Sequence, residues 1–517
     1  MSIRRRHTFF IQFDDPDAIE KFDFSQENAS VSSSHFTSPR EDKITIPYDL
    51  IASYPKFSAL LNSVYKLQVK WSRDVPFNHN YPASIVRESG LHVEIVAKDG
   101  VSIDTEGLSS FLKTFFNVEF TGKKQFVNGF QWKSLYAPLD TLKPLAEALQ
   151  NNLCDKSNSV CTSQLAELTY ADSFSLTYGS LPSNARPINK ESDLVFEVFW
   201  SDRTSMASDL GLTESTISKI YPNEKVEVGL LAVHPEYTTK NSIWGLAGFS
   251  RDLDLNKTEK LLFQYTTKHR NSESNYYVDF VRPTGLHPKH EIHMSNVRVP
   301  QSGCALFAKY TFDKSLFLDK YQLKDLAEAT PNRPPIGRLF GVWGETDLEA
   351  PVWAVGGWGS EALVQLYTTT VSDKLDLDFE LPTHSRYEIP QQNASLVHEH
   401  QPWPVVFWAC QAVSDKDSQL EAKIPASIET KGIGYESIFP NDTVFYYFNP
   451  IIPSHFTSTR LRSEFDIPVA PFSAYSTVQV VSVVVIFTCF FYLIYEIFRS
   501  FFGYNKPPTV DADKKDS

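Results

Sequence analysis

From Thr477 to Tyr495 the chain reads TVQVVSVVVIFTCFFYLIY without one charged residue. About 19 residues at a helical rise of about 1.5 Å cover the ~30 Å of bilayer hydrocarbon. A buried helix of a water-soluble domain seldom stays uncharged for this length, and its run of β-branched valines disfavours a helix in water more than in lipid. The segment is therefore read as a transmembrane helix over residues 476–498. Tyr475 on one side and Tyr492 and Tyr495 on the other suit the headgroup level, with Glu496 and Arg499 just beyond the apolar stretch. The other apolar runs are short and broken by charge or proline. One span cannot by itself enclose a site within the membrane, so whatever this chain does is done mainly by the roughly 470 residues before the helix.

Arg499, Lys506, Lys514 and Lys515 follow the helix, while Arg460 and Arg462 lie upstream at the edge of the counting window. The balance places the tail, residues 499–517, in the cytosol and the bulk of the chain in the lumen. The last four residues, Lys514-Lys515-Asp516-Ser517, resemble the dilysine retrieval signal of endoplasmic reticulum membrane proteins, a receptor-read address and not an anchor. At the other end, MSIRRRHTFFIQFDDPD has a basic cluster but too few apolar residues before Asp14 for a secretory h-region, so no cleaved leader is expected.

The part before the helix is long enough for two or three domains. Aromatic residues make up 14% of the chain, and segments such as SVYKLQVKWSRD, GLHVEIVAK, FNVEFTG and LAELTYADSFSLTYGSL alternate polar and apolar positions between turns. That is the pattern of half-buried antiparallel strands. Helices are expected only from Pro138 to Cys154 and from Tyr321 to Ala329. The predicted fold is mostly β: antiparallel sandwich-like luminal domains plus the one C-terminal transmembrane helix. Residues 1–43, with a Ser-rich stretch, read as a flexible segment. A first β-rich domain follows over 44–185, the passage from Leu181 to Glu191 serves as a linker, and a second sandwich covers 186–470.

A net charge of −13 excludes nucleic acid as a partner, because phosphate contacts need a basic surface. Cys489 lies in the span, leaving Cys154, Cys161, Cys304 and Cys410 for an oxidising lumen. They permit Cys154 with Cys161 and Cys304 with Cys410, among three connectivities. Asn28, Asn256, Asn393 and Asn441 meet the N-glycosylation pattern.

The chemistry-bearing motifs are few. His287, His290 and His293 invite a metal reading, but on a strand His290 and His293 point to opposite faces. Asp252-Leu-Asp254 and Asp376-Leu-Asp378 look like the element with which some glycosyltransferases hold a metal-bound sugar nucleotide, yet alternating Asp and Leu is also what a half-buried strand requires. The glycine-rich stretch from Gly341 to Gly359 has neither a P-loop ending nor a dinucleotide fingerprint, and its Trp353 and Trp358 are candidate contact residues. With no nucleophile elbow and no metalloprotease helix, the expectation is no catalytic residue, no cofactor and no metal.

The order of short motifs in the C-terminal half resembles the PIG-X family. They are Gly285-Leu-His287, Cys304-Ala-Leu-Phe, FLDKYQL (Phe317 to Leu323), Asp347-Leu-Glu-Ala-Pro351, Leu381-Pro-Thr-His384-Ser-Arg386-Tyr387 and Val406-Phe-Trp-Ala-Cys410. The resemblance covers about residues 255–500, and the N-terminal half, with VKWSRD and GLHVEIV, is similar to the extension of fungal members called the protease B nonderepressible protein. It implies a non-catalytic luminal accessory subunit of glycosylphosphatidylinositol mannosyltransferase I. Such a subunit stabilises a multi-spanning catalytic partner of PIG-M type, which adds the first mannose to the anchor precursor. The competing expectation is a general luminal chaperone for varied immature clients, which a broad set of luminal neighbours would reveal.

Overall fold

The computed structural model describes residues 2–503 apart from 12–21, 25–27, 32–36, 53, 78–85, 121–124, 155–158, 180–192, 213–214, 219–223, 234–242, 254, 256, 302, 330–335, 367–374, 393 and 412–431. The expected class holds: strands dominate, and among the described residues a single helix, the C-terminal Tyr475–Gly503, is long and apolar enough to cross a bilayer. Its 29 residues extend beyond the predicted span at both ends.

Two large sheets carry the fold. The first has eleven strands, in the order Lys257–Thr266, Ile243–Asp252, Lys225–Val233, Arg4–Ile11, Arg40–Ile46, Leu194–Trp200, Ser173–Gly179, Val64–Ser72, Gly90–Ala97, Lys133–Ala137 and Val127–Asn128. The second has eight: Ile336–Gly344, Gly359–Leu366, Cys304–Asp313, Val405–Gln411, Thr443–Pro450, His269–Phe280, Lys289–Val297 and Leu375–Pro382. Each sheet is mixed, not purely antiparallel. Arg4–Ile11 runs parallel to Lys225–Val233, and His269–Phe280 runs parallel to Thr443–Pro450. Parallel neighbours need a long crossover, and both pairs join segments far apart in the chain.

This strand order corrects the domain boundaries. Residues 1–43 do not form one flexible segment, since Arg4–Ile11 is an interior strand of the first sheet with Phe9 and Phe10 buried. Leu181 to Glu191 lies within a stretch outside the described residues, but the strands on either side of it, Ser173–Gly179 and Leu194–Trp200, are hydrogen-bonded antiparallel neighbours. Proline and asparagine there mark a connection within one sheet, not a domain boundary at 186. The change of sheet falls after Thr266, where His269 opens the second.

Helices cover one face of the first sheet. Thr105–Phe116 is capped by Asp104, whose carboxylate accepts from the Gly107 amide at 3.0 Å. It ends at Asn117, whose φ of 53° is the left-handed turn that stops a helix. This helix ends where FNVEFTG had suggested a strand: Asn117 to Phe120 is irregular, and 121–122 lie outside the described residues. The Pro138–Cys154 expectation becomes Lys143–Leu153, and the strand expected over LAELTY is instead helix Ser159–Ala166 followed by a 3-10 turn. Leu108, Phe111, Leu112, Phe116 and Leu145 pack on Leu67, Val69, Trp71, Val93 and Ile95 of the sheet. The second expected helix appears as Lys320–Ala329.

Two disulfides join Cys154 to Cys161 and Cys304 to Cys410. Cys304 and Cys410 face each other across the strands Cys304–Asp313 and Val405–Gln411. The chain-entropy argument scales with the loop closed. Removing the bridge that spans 106 residues by Cys304→Ala with Cys410→Ala should therefore cost about 4–5 kcal/mol. Removing the bridge that spans 7 residues should cost about 2 kcal/mol. Denaturant titration of the detergent-solubilised proteins checks the difference.

Candidate functional site

Strand alternation gives the first sheet a second, polar face. Lys66, Gln68, Lys70, His92 and Glu94 point away from the helices, and all are buried. What covers them is the second sheet and its loops. Lys309 Nζ lies 2.9 Å from Glu88, and Thr311 Oγ1 donates to the same carboxylate at 3.1 Å. The Ile433 amide donates to the Gln68 side chain at 3.1 Å, and the Trp358 indole donates to the Ser134 carbonyl at 3.0 Å. Trp358 is thus a buried link between the sheets and not an exposed contact residue, whereas Trp353 is exposed.

At the centre of this junction, Arg87 meets Glu94 at 3.2 Å and Glu436 at 3.4 Å and stacks over the Tyr435 ring at 5.1 Å. His269 reaches Glu436 at 3.2 Å from the other side. Burial pushes the Glu436 carboxyl up, but His269, Lys70 and Arg87 outweigh it and hold it well below the usual carboxylate range. Lys70 is pulled down to about 8 by burial and by Arg87. Gly434 sits at φ +81°, and a Cβ there would lie 2.1 Å from the Glu94 carboxylate, so only glycine lets the loop close over the pair. A buried ion network of this kind specifies how two surfaces mate and offers no access to a substrate.

A second buried network lies in the first sheet. His7 Nδ1 is 2.7 Å from Asp42, and Arg40 ties Asp42 to Glu167. The pairing looks like a general-base dyad, but burial pulls the imidazole down to about 4, and both side chains are nearly closed to solvent. Its position fits architecture better than catalysis.

The family motifs of the C-terminal half, by contrast, mostly come together. Arg386, buried, is their hub: its guanidinium donates to the carbonyls of Asp347, Ala350 at 2.8 Å and Glu345 at 3.1 Å, and lies 4.1 Å from the Phe317 ring centroid. The Arg386 amide donates to Ser315, the Ser385 amide to Leu286, and the Val352 amide to the Tyr387 carbonyl. His384 stacks on Phe317, meets His287 at 3.0 Å and meets Gln322 at 2.8 Å. Burial, then His287, lowers the His384 pKa. Pro351 leads into the 3-10 turn Val352–Ala354. Segments separated by up to about a hundred residues in the chain thus close one clasp. A surface pocket beside it is lined by Asp319, Tyr321, Gln322, Asp325, Leu326 and His384.

Other expected residues lie elsewhere. The Cys304–Cys410 bridge is at the opposite end of its strand from Asp313 and Ser315, roughly 30 Å away at strand rise. His290 is buried against Phe280 and Tyr310, while His293 lies on the outer face, 2.7 Å from Asp378. Asp376 accepts from the Asn296 amide, and both acids are on the exposed side of Leu375–Pro382. Among the described residues no group of three His, Cys, Asp or Glu could hold a metal ion. Asn441 is exposed at a turn and Asn28 stands in the short strand Asn28–Val31; Asn256, Asn393, Asp254, Lys514 and Lys515 lie outside the described residues.

The family described as PIG-X / PBN1 matches residues 283–498, the stretch that holds most of the clasp and the terminal helix. Protein pbn1 of Emericella nidulans is 30% identical over 443 residues, covering 80% of this chain and 79% of the relative. Protein pbn1 of Aspergillus fumigatus is 29% identical, covering 90% and 88%. Protein PBN1 of Yarrowia lipolytica is 27% identical, covering 87% of each. Likeness along most of both chains, in the N-terminal sheet as well as in the clasp, means that this chain belongs to the PIG-X / PBN1 family.

Proposed function

We propose that the chain is a non-catalytic accessory subunit of glycosylphosphatidylinositol-anchor biosynthesis, stabilising the multi-spanning PIG-M-type mannosyltransferase that adds the first mannose. The observation that carries this reading is the use made of the family motifs: Arg386 spends its donors on backbone carbonyls, so these residues build a shape and not a reaction centre. A lipid-linked donor and a lipid acceptor meet at the membrane in a cavity walled by several helices, which a single span cannot wall. The partner supplies the catalytic carboxylate, and this chain supplies a β platform and one helix. In this reading the platform is luminal, the tail is cytosolic and the lysine-ended tail keeps the protein in the endoplasmic reticulum.

Deleting the chain should lower the abundance of the mannosyltransferase polypeptide and let the unmannosylated glucosaminyl-inositol lipid accumulate. Affinity purification in mild detergent should recover the enzyme in fixed ratio. Normal enzyme abundance with normal first-mannose transfer would overturn the proposal.

A further inference from the structure

The clasp is tied to the start of the terminal helix. The 3-10 turn Phe472–Ala474 leads directly into the helix at Tyr475, and the Phe472 amide donates to the Gln391 carbonyl at 2.7 Å. The Val469 amide donates to Ser395 at 2.9 Å, so two bonds bracket the chain just after the clasp against the chain just before the helix. From Gln391 back to Tyr387 is four residues, at most about 14 Å of extended backbone. Tyr387 in turn accepts from Val352 and brings the Trp353 turn beside it.

Several large apolar or aromatic side chains on and beside this path are exposed, interspersed with Glu388 and Gln391. Leu348 is 50% exposed, Trp353 59%, Ile389 60% and Tyr387 61%, next to Phe472 and Tyr475, whose rings stack at 6.1 Å. Large apolar side chains exposed near one another on a folded chain mark a contact that the isolated chain does not make. Trp and Tyr, with an apolar body and a polar edge, suit the boundary between headgroups and acyl chains. The helix has 29 residues, about 43 Å at the helical rise, against ~30 Å of hydrocarbon, so its ends reach the headgroup layer. Phe472 and Tyr475 then stand at that layer, with the exposed path beside them.

We propose that Trp353, Tyr387, Ile389 and Leu348 form a ridge that inserts into the headgroup layer beside the helix and sets the second sheet end-on against the bilayer. Glu388 stands between Tyr387 and Ile389 and Glu349 follows Leu348, so the contact is insertion of the neighbouring apolar side chains among zwitterionic headgroups and not attraction to anionic lipid. The clasp acquires a role that fits its location: Arg386 holds three backbone segments rigid so that the ridge meets the membrane at a fixed tilt. The inference rests on the helix crossing the bilayer and is independent of the mannosyltransferase reading.

The full chain in phosphatidylcholine nanodiscs, with and without a fraction of dibrominated phosphatidylcholine carrying bromines near the headgroup, tests this. Excited at 295 nm, the unmodified chain should show a component quenched by the brominated lipid, and Trp353→Phe should lose that component while keeping the emission of the buried tryptophans. Equal quenching of the two proteins would overturn the proposal. So would a Trp353 that stays unquenched in lipid and is shielded from acrylamide only when a co-purified membrane protein is present, which would assign the ridge to protein docking.

Discussion

Replacing Arg386 by alanine should unfold the clasp locally, at a cost of about 3–5 kcal/mol, while leaving the first sheet intact. The size follows from the bonding. Three carbonyls, of Glu345, Asp347 and Ala350, share one guanidinium in part-buried hydrogen bonds and would lose that donor together. Each charge-assisted hydrogen bond is worth roughly 1.5–3 kcal/mol, and the three do not add fully because they belong to one unit. The guanidinium also covers Phe317, so alanine removes packing as well as donors. Arg386→Lys keeps the charge, but one ammonium cannot span three carbonyls, and an intermediate loss is expected. Hydrogen exchange followed by mass spectrometry should show amides of residues 345–354 and 384–390 losing protection in the alanine protein, with Val64–Ser72 unchanged. Uniform loss across both sheets, or none, would contradict the clasp as the seat of the effect.

Much of this fold is legible in the alternation of residues, and the illegible part has a physical cause. Alternation marks the strand Val64–Ser72 and says that Leu67, Val69 and Trp71 share a face; it cannot say what lies against Lys66, Gln68 and Lys70. Polar residues in that register usually face water, and here the loop that precedes Thr443–Pro450 brings Ile433 to Gln68, 365 residues away, and the Glu436 charge to Lys66 and Lys70. The interior place of Arg4–Ile11 was hidden for the same reason, since its neighbour Lys225–Val233 comes from the far side of the Leu181–Glu191 passage. Thr105–Phe116 is not among the expected helices, although Asp104 before it and Asn117 after it are readable caps. The motifs of the clasp were visible as ordered short segments. Their convergence was not, because it depends on Leu375–Pro382 pairing with Lys289–Val297, which brings His384 to His287.

Arg87→Ala should loosen the two sheets from each other by about 3–5 kcal/mol, because it leaves Glu94 and part of the charge of Glu436 buried without their guanidinium. Neutralising the orphaned charge tests that cause: Arg87→Ala with Glu94→Gln should be less damaging than Arg87→Ala alone, a non-additivity that lost packing would not produce. The pH dependence supplies the second check. Glu436 is held below its unfolded value, so its contribution is fully present above about pH 4.5 and is lost as the pH falls through the folded value. Arg87 is one of the charges that hold it there, alongside His269 and Lys70. Without Arg87 the carboxyl rises toward its ordinary range and has less stability to lose in acid. The gap between the unmodified chain and Arg87→Ala should therefore be widest near neutral pH and close as the pH falls below 4.5, read from denaturation midpoints across that range. A gap that stays constant with pH would mean that Arg87 acts by packing over Tyr435 and not by its charge.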